Sequence, residues 1–396
     1  MITIHIPNNN IKEREYIIDV MLGEFLGLEY EVTVDSDSDR EKEPITNHQS
    51  LITNIDIFAS AFFMLTRWEE YVNRARDNHN RFSAKESLAY KNNFLDRPIV
   101  NEYIEYLWNI LTYLGIKQKR VKREYKFIMT HDVDEVLRYF SFNRFIRELA
   151  RDFVKNRKFI EPFKKFYEYL LIQLKLKRDP FDTFDYLLKK ESEYRVESYY
   201  FFMGEGSNLT YDDNYDINSK FVKNLAKKIL SYNNTIGIHP SYNTYNNPAQ
   251  FAKEKQKIED AFGIKIECGR QHYLRFNVPT TWQIWEDNRM KWDSTLSYAD
   301  KEGFRCGVCY EYSIFNFLTR KKLNLKEKPL IAMEASFTIY QSYLNLDEII
   351  KNIKMLIDLV KKYNGEFVFL WHNATSGKDW YKDFYESVLA IAKDNR

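Results

Sequence analysis

Short apolar runs and longer amphipathic segments alternate along the chain from residue 125 onward. Each run has the length of a β-strand, and the runs lie at residues 127–130, 198–202, 235–238, 264–268, 330–333 and 367–371. Segments with a helical spacing of apolar residues lie between them, at 185–195, 218–232 and 346–363. Such alternation predicts parallel βαβ units. Over about 270 residues this alternation predicts an α/β fold in the form of a (β/α) barrel, either regular or distorted.

The first 122 residues have a different pattern, which predicts a smaller α+β domain. A polar stretch at 32–47 is typical of a loop. Helical patterns follow at 54–76 and 102–115. This part contains no cluster of candidate ligands or catalytic groups. We therefore expect an accessory domain at 1–122 and the barrel at 123–396.

A basic helical segment at 137–178 interrupts the alternation of strands and helices in the barrel. It contains 12 Lys or Arg and 4 Asp or Glu, a net charge of +8, with aromatic residues between the cations. One interpretation is an amphipathic insertion that packs on the barrel and leaves a solvated basic face. The other is a binding site for an anionic membrane surface or a polyanionic glycan carrier. The composition leaves both open.

The overall charge and the N-terminal sequence limit the class of protein. A formal net charge of +2 does not indicate a nucleic-acid partner. The first residues lack the basic-then-apolar pattern of a secretory signal. The apolar stretch at 55–66 is too short to span a bilayer. We expect a cytoplasmic protein, and peripheral contact with the inner membrane stays open.

Ionisable residues follow several of the predicted strands. They are Asp132, Asp134, His239, Arg270, His272, Asp293 and His372. The ends of parallel strands converge on one face, where active sites are built. Asp132 and Asp134 point the same way in an extended chain, and a divalent cation would offset the repulsion between them. Imidazole and carboxylate together favour zinc or another first-row divalent ion.

Five short motifs in this half of the chain resemble, in the same order, those of the polysaccharide deacetylases. The motifs are THDVD at 130–134, IHPSY at 238–242, GRQHY at 269–273, WDSTL at 292–296 and LWHN at 370–373. This resemblance covers residue 126 to about residue 373 and implies a distorted (β/α) barrel. In the N-terminal part, FFMLTRWEEY at 62–71 resembles an accessory domain found ahead of some deacetylase-like proteins in bacterial glycan gene sets.

The resemblance also implies roles for individual residues. The first motif places the general base on Asp132 and a metal ligand on Asp134. The second places another ligand on His239. The third implies that Arg270 steadies the base, and the fifth implies that His372 is the general acid.

The second motif departs from the family pattern at one position. Where the family has another histidine, four residues after the first, this chain has Asn243. A neutral amide oxygen is a poorer zinc ligand than an imidazole. His272 would share a face with Arg270 in an extended chain, which places it near the metal. We therefore expect His272 to be the third ligand, while weak ligation by Asn243 and loss of the metal site stay open.

The resemblance thus implies a metal-dependent hydrolase, most suited to zinc, that acts on an acetylated sugar in bacterial surface-glycan biosynthesis. An N-acetyl group is the first choice and an O-acetyl group the second, and a nucleotide or lipid link to the sugar stays open. Tyr242, Tyr273 and Trp371 either flank the sugar or belong to the core, and Asp293 is a further candidate for substrate binding. The alternatives are a catalytically inactive sugar-binding or assembly module and a hydrolase of a non-sugar amide such as a ureide.

Overall fold

The computed structural model describes residues 2–34, 55–139, 142, 145–146, 149, 161–208, 210–212, 215–341, 345–377 and 379–393. The predicted loop at 32–47 and the basic segment at 137–178 therefore lie partly outside the described residues, as does the start of the helix predicted at 54–76.

The N-terminal part begins with two parallel strands, β1 (Ile2–Ile6) and β2 (Tyr30–Val34), which are connected through helix α1 (Ile11–Ile18) and a π-helical segment at Asp19–Phe25. The helices that follow are α2 (Ile57–Leu65), α3 (Trp68–Val72), α4 (Leu88–Lys91) and α5 (Ile99–Tyr113). The helix predicted at 54–76 is thus divided into α2 and α3. The division falls at Arg67, whose left-handed φ of 52° interrupts the helix.

Strands and helices alternate through the rest of the chain. The strands are β3 (Lys126–Val133), β4 (Glu197–Phe202), β5 (Thr235–Ile238), β6 (Cys268–Gly269), β7 (Trp292–Asp293), β8 (Tyr312–Asn316), β9 (Lys321–Glu327), β10 (Leu330–Met333) and β11 (Glu366–Leu370). The helices are α6 (Glu161–Gln173), α7 (Phe184–Tyr194), α8 (Lys220–Ser231), α9 (Pro248–Phe262), α10 (Thr280–Asp287), α11 (Leu346–Lys362) and α12 (Asp379–Lys393).

These nine strands form one curled sheet in the order β10-β11-β3-β4-β5-β6-β7-β9-β8. Neighbours are parallel except for the antiparallel pair β8 and β9. Lys328 follows β9, and its Nζ lies 2.7 Å from a carboxylate oxygen of Glu366 in β11. In a flat sheet, strands six places apart would be separated by roughly 29 Å. The sheet is therefore curled, and because the described residues of β10 and β8 do not pair, it is an incomplete barrel. The predicted distorted (β/α) barrel is confirmed.

One predicted strand is much shorter than expected. The apolar run at 264–268 contributes only Cys268 to β6, and the reason is local. The N–H of Ile266 donates to the side chain of Glu259 in α9 at 2.9 Å, so this amide does not pair with a neighbouring strand. Gly269 lets β6 approach β5 closely, because a Cβ at this position would lie 1.9 Å from the carbonyl oxygen of Ile238.

The buried core is continuous between the N-terminal part and the barrel. A buried ion-pair network also connects them, since Glu70 binds Arg67 at 2.8 Å and Arg305 of the barrel at 2.6 Å. The division into domains at 1–122 and 123–396 stays a prediction. Within the described part of the chain, every helix is too short or too polar to cross a membrane.

Candidate active site

Asp134, His239 and His272 meet at one end of the curled sheet. Asp134 directly follows β3, His239 directly follows β5, and His272 lies in the turn after β6. Oδ1 of Asp134 is 3.1 Å from Nε2 of His239 and 3.6 Å from Nε2 of His272. One ligand atom from each of the three residues lies within 4.8 Å of the other two. The parallel strands therefore bring three potential metal ligands together.

Hydrogen bonds from the outer nitrogen atoms orient both imidazole rings. Nδ1 of His239 donates to the carbonyl oxygen of Arg270 at 2.7 Å, and Nδ1 of His272 donates to Oδ1 of Asp212 at 2.8 Å. A neutral imidazole with its proton on Nδ1 presents the lone pair of Nε2, here toward Asp134. Metal-binding histidines are held in this way by carboxylates and backbone carbonyls.

The electrostatics of the cluster fit a bound cation. Oδ1 of Asp134 and Nε2 of His239 are buried without a hydrogen-bond partner among the described residues, an arrangement that is costly unless another group satisfies them. Burial opposes protonation of His239, but Asp132 and Asp134 outweigh burial and raise the pKa of His239. The site thus attracts positive charge. Two imidazole nitrogens and a carboxylate oxygen, with room for further ligands, are a donor set that zinc prefers.

Asp132 lies beside this cluster and is held by a buried arginine. Nη1 of Arg270 donates to Oδ1 of Asp132 at 2.9 Å. The Arg270 side chain is itself fixed, because Nε donates to the carbonyl oxygen of Ser294 at 2.8 Å and Nη2 to its hydroxyl at 3.1 Å. Asp132 is only 2% exposed, yet it lines the cavity that contains the cluster. Its carboxylate is therefore fixed in position and accessible from the cavity.

His372 approaches the cluster from the strand on the other side of β3. Its Nε2 lies 3.6 Å from Oδ2 of Asp134, and its Nδ1 lies 2.5 Å from Oε1 of Glu334. Burial lowers the pKa of His372 because it disfavours the charged imidazole. The negative charge and the hydrogen bond of Glu334 raise this pKa, Asp134 and Asp132 raise it further, and the three carboxylates outweigh burial. Together they raise the pKa of His372 to about 10. The carboxylates thus favour the protonated ring, which can act as a proton donor.

The cavity above the cluster has a volume of about 310 Å³, at the lower end of the range for small-molecule sites. Aromatic side chains form part of its wall, and these are Tyr211, Tyr273 and Tyr340. Tyr242 is one layer further back, with its ring stacked on Tyr211 at a centroid distance of 4.4 Å. The cavity is thus lined by both aromatic rings and ionisable groups.

Three of the residues discussed in the sequence lie away from this cavity. Asp293 is fully buried, and its carboxylate accepts a hydrogen bond from the hydroxyl of Thr295 at 2.5 Å. Trp371 is also fully buried and packs against the ring of Tyr385 at 4.9 Å. The side chain of Asn243 donates to the carbonyl oxygen of Ser207 at 3.2 Å. The structure therefore brings His272, and not Asn243, to Asp134 and His239.

Three further residues contribute to the site and were not singled out in the sequence. Glu334, which orients His372, directly follows the apolar run at 330–333, so its place after a predicted strand was a usable signal. Asp212, which orients His272, lies in the loop between β4 and α8, where no pattern marked it. Arg81 lines the cavity but belongs to the N-terminal part of the chain, and only the tertiary structure reveals its position.

Comparisons with known sequences add information on the N-terminal part. Residues 39–115 match a family described as being of unknown function (DUF7033), within the range predicted for the accessory domain. No curated protein matches the chain.

Solved structures match a larger part of the chain at low identity. A protein from Mycobacterium smegmatis assigned as a polysaccharide deacetylase is 13% identical, with 69% of this chain and 85% of that chain covered and a TM-score of 0.45. One from Pseudomonas aeruginosa with the same assignment is 10% identical, with 67% and 83% covered and a TM-score of 0.40. A CE4 family pseudoenzyme from Bacillus anthracis is 12% identical, with 74% and 77% covered and a TM-score of 0.34. The five motifs of the chain resemble those of the polysaccharide deacetylases, and proteins with that assignment are among the solved structures that match.

Proposed function

We propose that this protein is a metal-dependent hydrolase that removes an N-acetyl group, with an O-acetyl group as second choice, from a sugar in bacterial surface-glycan biosynthesis. The observation that carries the proposal is the convergence of Asp134, His239 and His272 within 4.8 Å of one another. Two groups suited to proton transfer, Asp132 and His372, line the same cavity.

Asp134, His239 and His272 would hold the metal ion, for which zinc is the best candidate. A divalent ion bound there supplies Lewis-acid chemistry, which makes hydrolysis of an amide or ester feasible at neutral pH. The hydrogen bonds from His272 to Asp212 and from His239 to the carbonyl oxygen of Arg270 fix the two rings. The protein therefore holds these donor atoms in place before the metal binds.

Asp132 is suited to accept the proton of the attacking water. Its Oδ1 is held by Arg270 at 2.9 Å, and Oδ2 is not part of that contact. Oδ2 lies 3.8 Å from Nδ1 of His239, so it is close to the cluster. A carboxylate fixed by one oxygen leaves the other available as a general base.

His372 is suited to donate a proton to the departing amine. Amines leave poorly from a tetrahedral intermediate unless they are protonated, and an imidazolium ion supplies that proton. Glu334 keeps the ring in its protonated form and fixes its orientation through Nδ1. Nε2 is then the atom that faces the substrate.

The proposed substrate is an acetylated sugar, either free or linked to a nucleotide or a lipid. A cavity of about 310 Å³ suits one sugar residue better than a long polymer segment. The rings of Tyr211, Tyr273 and Tyr340 offer apolar faces for the C–H groups of a sugar. The carrier would extend outward from the opening of the cavity.

Contact with an anionic membrane surface at the cytoplasmic face is the second part of the proposal. Large apolar residues of the described part of the 137–178 segment are exposed, and they include Tyr167 (64%), Leu174 (66%) and Leu176 (73%). The segment as a whole has the net charge of +8 described above. Exposed apolar residues beside cations are typical of helices that lie in the interface of an anionic bilayer.

An inactive sugar-binding or assembly module is the alternative function, and it was motivated by Asn243 in place of a second motif histidine. The position of His272 beside Asp134 weakens that motivation. The discriminating experiment is metal analysis of the purified protein, followed by measurement of acetate release from nucleotide-linked and lipid-linked acetamido sugars. We expect about one zinc per chain and release of acetate that stops after chelation. Protein without bound metal and without acetate release would favour the inactive module.

A further inference from the structure

A tight turn from the N-terminal part, residues 77–81, reaches the wall of the candidate active site. The turn is built around Asp77, whose Oδ1 accepts the backbone N–H groups of His79 and Arg81, both at 2.9 Å. Oδ2 of Asp77 accepts from Nε of Arg81 at 2.8 Å. One carboxylate thus orders the turn and the first part of the Arg81 side chain.

The chain that follows the candidate ligand His272 has an unfavourable backbone conformation. Tyr273 and Leu274 are consecutive, and both are left-handed, with φ of 60° and 53°. Residues with a side chain rarely adopt this conformation, and it persists only where the surroundings hold it in place. A change in this pair would also move His272, which is the residue next to Tyr273.

Two arginines connect the 77–81 turn to the Tyr273–Leu274 pair: one lies in the turn and donates to the pair, and the other follows the pair and donates to the turn. Nη1 of Arg81 donates to the carbonyl oxygen of Tyr273 at 3.2 Å. Nε of Arg275, the residue after Leu274, donates to the carbonyl oxygen of His79 at 2.8 Å. Hydrogen bonds to the same turn therefore hold both the carbonyl group within the left-handed pair and the residue that follows the pair.

The rings around the turn add to this contact. The His79 ring lies 4.8 Å from the ring of Tyr273, and its Nδ1 is 3.1 Å from the hydroxyl of Tyr242. Nη2 of Arg81 donates to the hydroxyl of Tyr340 at 3.0 Å. Arg81, Tyr273 and Tyr340 all line the cavity. The turn thus contacts both the chain beside the ligand and the wall that would face a substrate.

We propose that the 77–81 turn positions the metal ligand His272, with Arg81 as the positioning residue, and that this is a role of the N-terminal part in the metal site. This inference rests on the proposed function only in that His272 binds metal. Attachment of the N-terminal part does not depend on Arg81, because the buried network of Arg67, Glu70 and Arg305 connects the two parts elsewhere. Arg81 can therefore be changed while the N-terminal part stays attached to the barrel.

The test is the zinc affinity of the full chain, measured by competition with a chromophoric chelator. We expect Arg81→Ala to weaken zinc binding by about 10-fold, the lower end of the loss typical when a residue that supports a ligand is changed. Arg81→Lys should also weaken it, because one ammonium group cannot replace a guanidinium that contacts Asp77, Tyr273 and Tyr340 together. The matched control is Arg97→Ala, which removes an exposed arginine paired with Glu102 in the same part of the chain. Its zinc affinity should equal that of the unaltered chain.

A second variant separates positioning from a general loss of stability. Glycine adopts a φ near 60° readily, so Tyr273→Gly should restore part of the zinc affinity in the Arg81→Ala chain. A loss of zinc affinity that does not act through the backbone of Tyr273 would not be reversed by a glycine at this position. If Arg81→Ala does not fold, Arg81→Lys is judged by the same criterion.

The outcomes for this inference and for the proposed function are distinguishable. If the unaltered chain binds zinc and the foldable Arg81 variant binds it equally well, the positioning role of the turn is wrong while the metal site stands. If the unaltered chain does not bind zinc, the proposed metal-dependent function fails, and the inference fails with it.

Discussion

The ring of His272 is held between two carboxylates, and Nε2 points toward Oδ1 of Asp134 at a distance of 3.6 Å. Its Nδ1 donates to Asp212, which also accepts the backbone N–H of Tyr242 at 2.9 Å. The ring therefore has little freedom to rotate, and its lone pair is directed at the candidate metal centre. His272 thus offers a second imidazole to the cluster, although it lies outside the second motif.

We predict that His272→Ala weakens zinc affinity by at least 10-fold, because removal of a ligand should cost no less than the roughly 10–100-fold loss typical of residues around the ligands. Asn243→Ala is the matched control, and it should change zinc affinity little because its amide contacts Ser207. Competition with a chelator measures both. The reverse pattern would show that Asn243 is the ligand and that His272 only contributes to packing.

The ion pair between Asp132 and Arg270 leads to a second prediction. Asp132→Asn should lower the rate of acetate release by about 10²–10⁴-fold, the usual contribution of a general base. About one zinc per chain should remain, since Asp132 is assigned to proton transfer. Rate measurements and metal analysis on the same preparation check both parts. Loss of zinc in this variant would mean that the roles of Asp132 and Asp134 are misassigned.

The apolar runs of the sequence predicted the strands that build the site. The run at 235–238 coincides with β5, and the run at 330–333 coincides with β10. Strands of parallel sheets are buried on both faces, so their sequences are continuous apolar runs that stand out from their surroundings. Because the site is built at the ends of these strands, the position of His239 could be predicted from the same pattern.

Other features depend on tertiary contacts that no local pattern reveals. Trp371 directly follows β11, next to His372, but the helix α12 covers it, and it belongs to the core. Arg81 is 192 positions away from Tyr273 in the chain, and only folding brings the two together. In contrast, Glu334 directly follows a predicted strand, as His239 does, so its position could be predicted from the sequence.

The exposed leucines after α6 lead to a third prediction. Liposomes with anionic lipids should retain the protein at low salt and release it at high salt, because salt screens the attraction between exposed charges. Leu174→Ser with Leu176→Ser should weaken retention several-fold, since exposed apolar side chains add to the binding of interfacial helices. Leu318→Ser, at a leucine that is 57% exposed in another part of the molecule, is the matched control. Retention that ignores salt, or no retention, would favour an insertion that only packs on the barrel.

The contact between Glu334 and His372 leads to a prediction on pH dependence. A general acid is active while it is protonated, so its contribution is present at low pH and is lost as the pH rises through its pKa. Glu334 is the main group that raises the pKa of His372 to about 10. Glu334→Gln keeps the shape of the side chain but removes its charge, so the pKa of His372 should fall. The alkaline decline of kcat should therefore begin at a lower pH than in the unaltered chain.

A double substitution tests whether Glu334 acts through His372. If it does, Glu334→Gln should lower kcat on its own and have almost no further effect in a chain that already carries His372→Ala, because coupled residues are not additive. The measurement is the pH profile of acetate release with zinc in excess. It compares the two single variants with the double variant. Excess zinc keeps the metal site filled, so a change in kcat reports on proton transfer and not on metal loss. An alkaline limb that does not move in Glu334→Gln, or effects that add in full, would mean that His372 does not depend on Glu334 for its role as the acid.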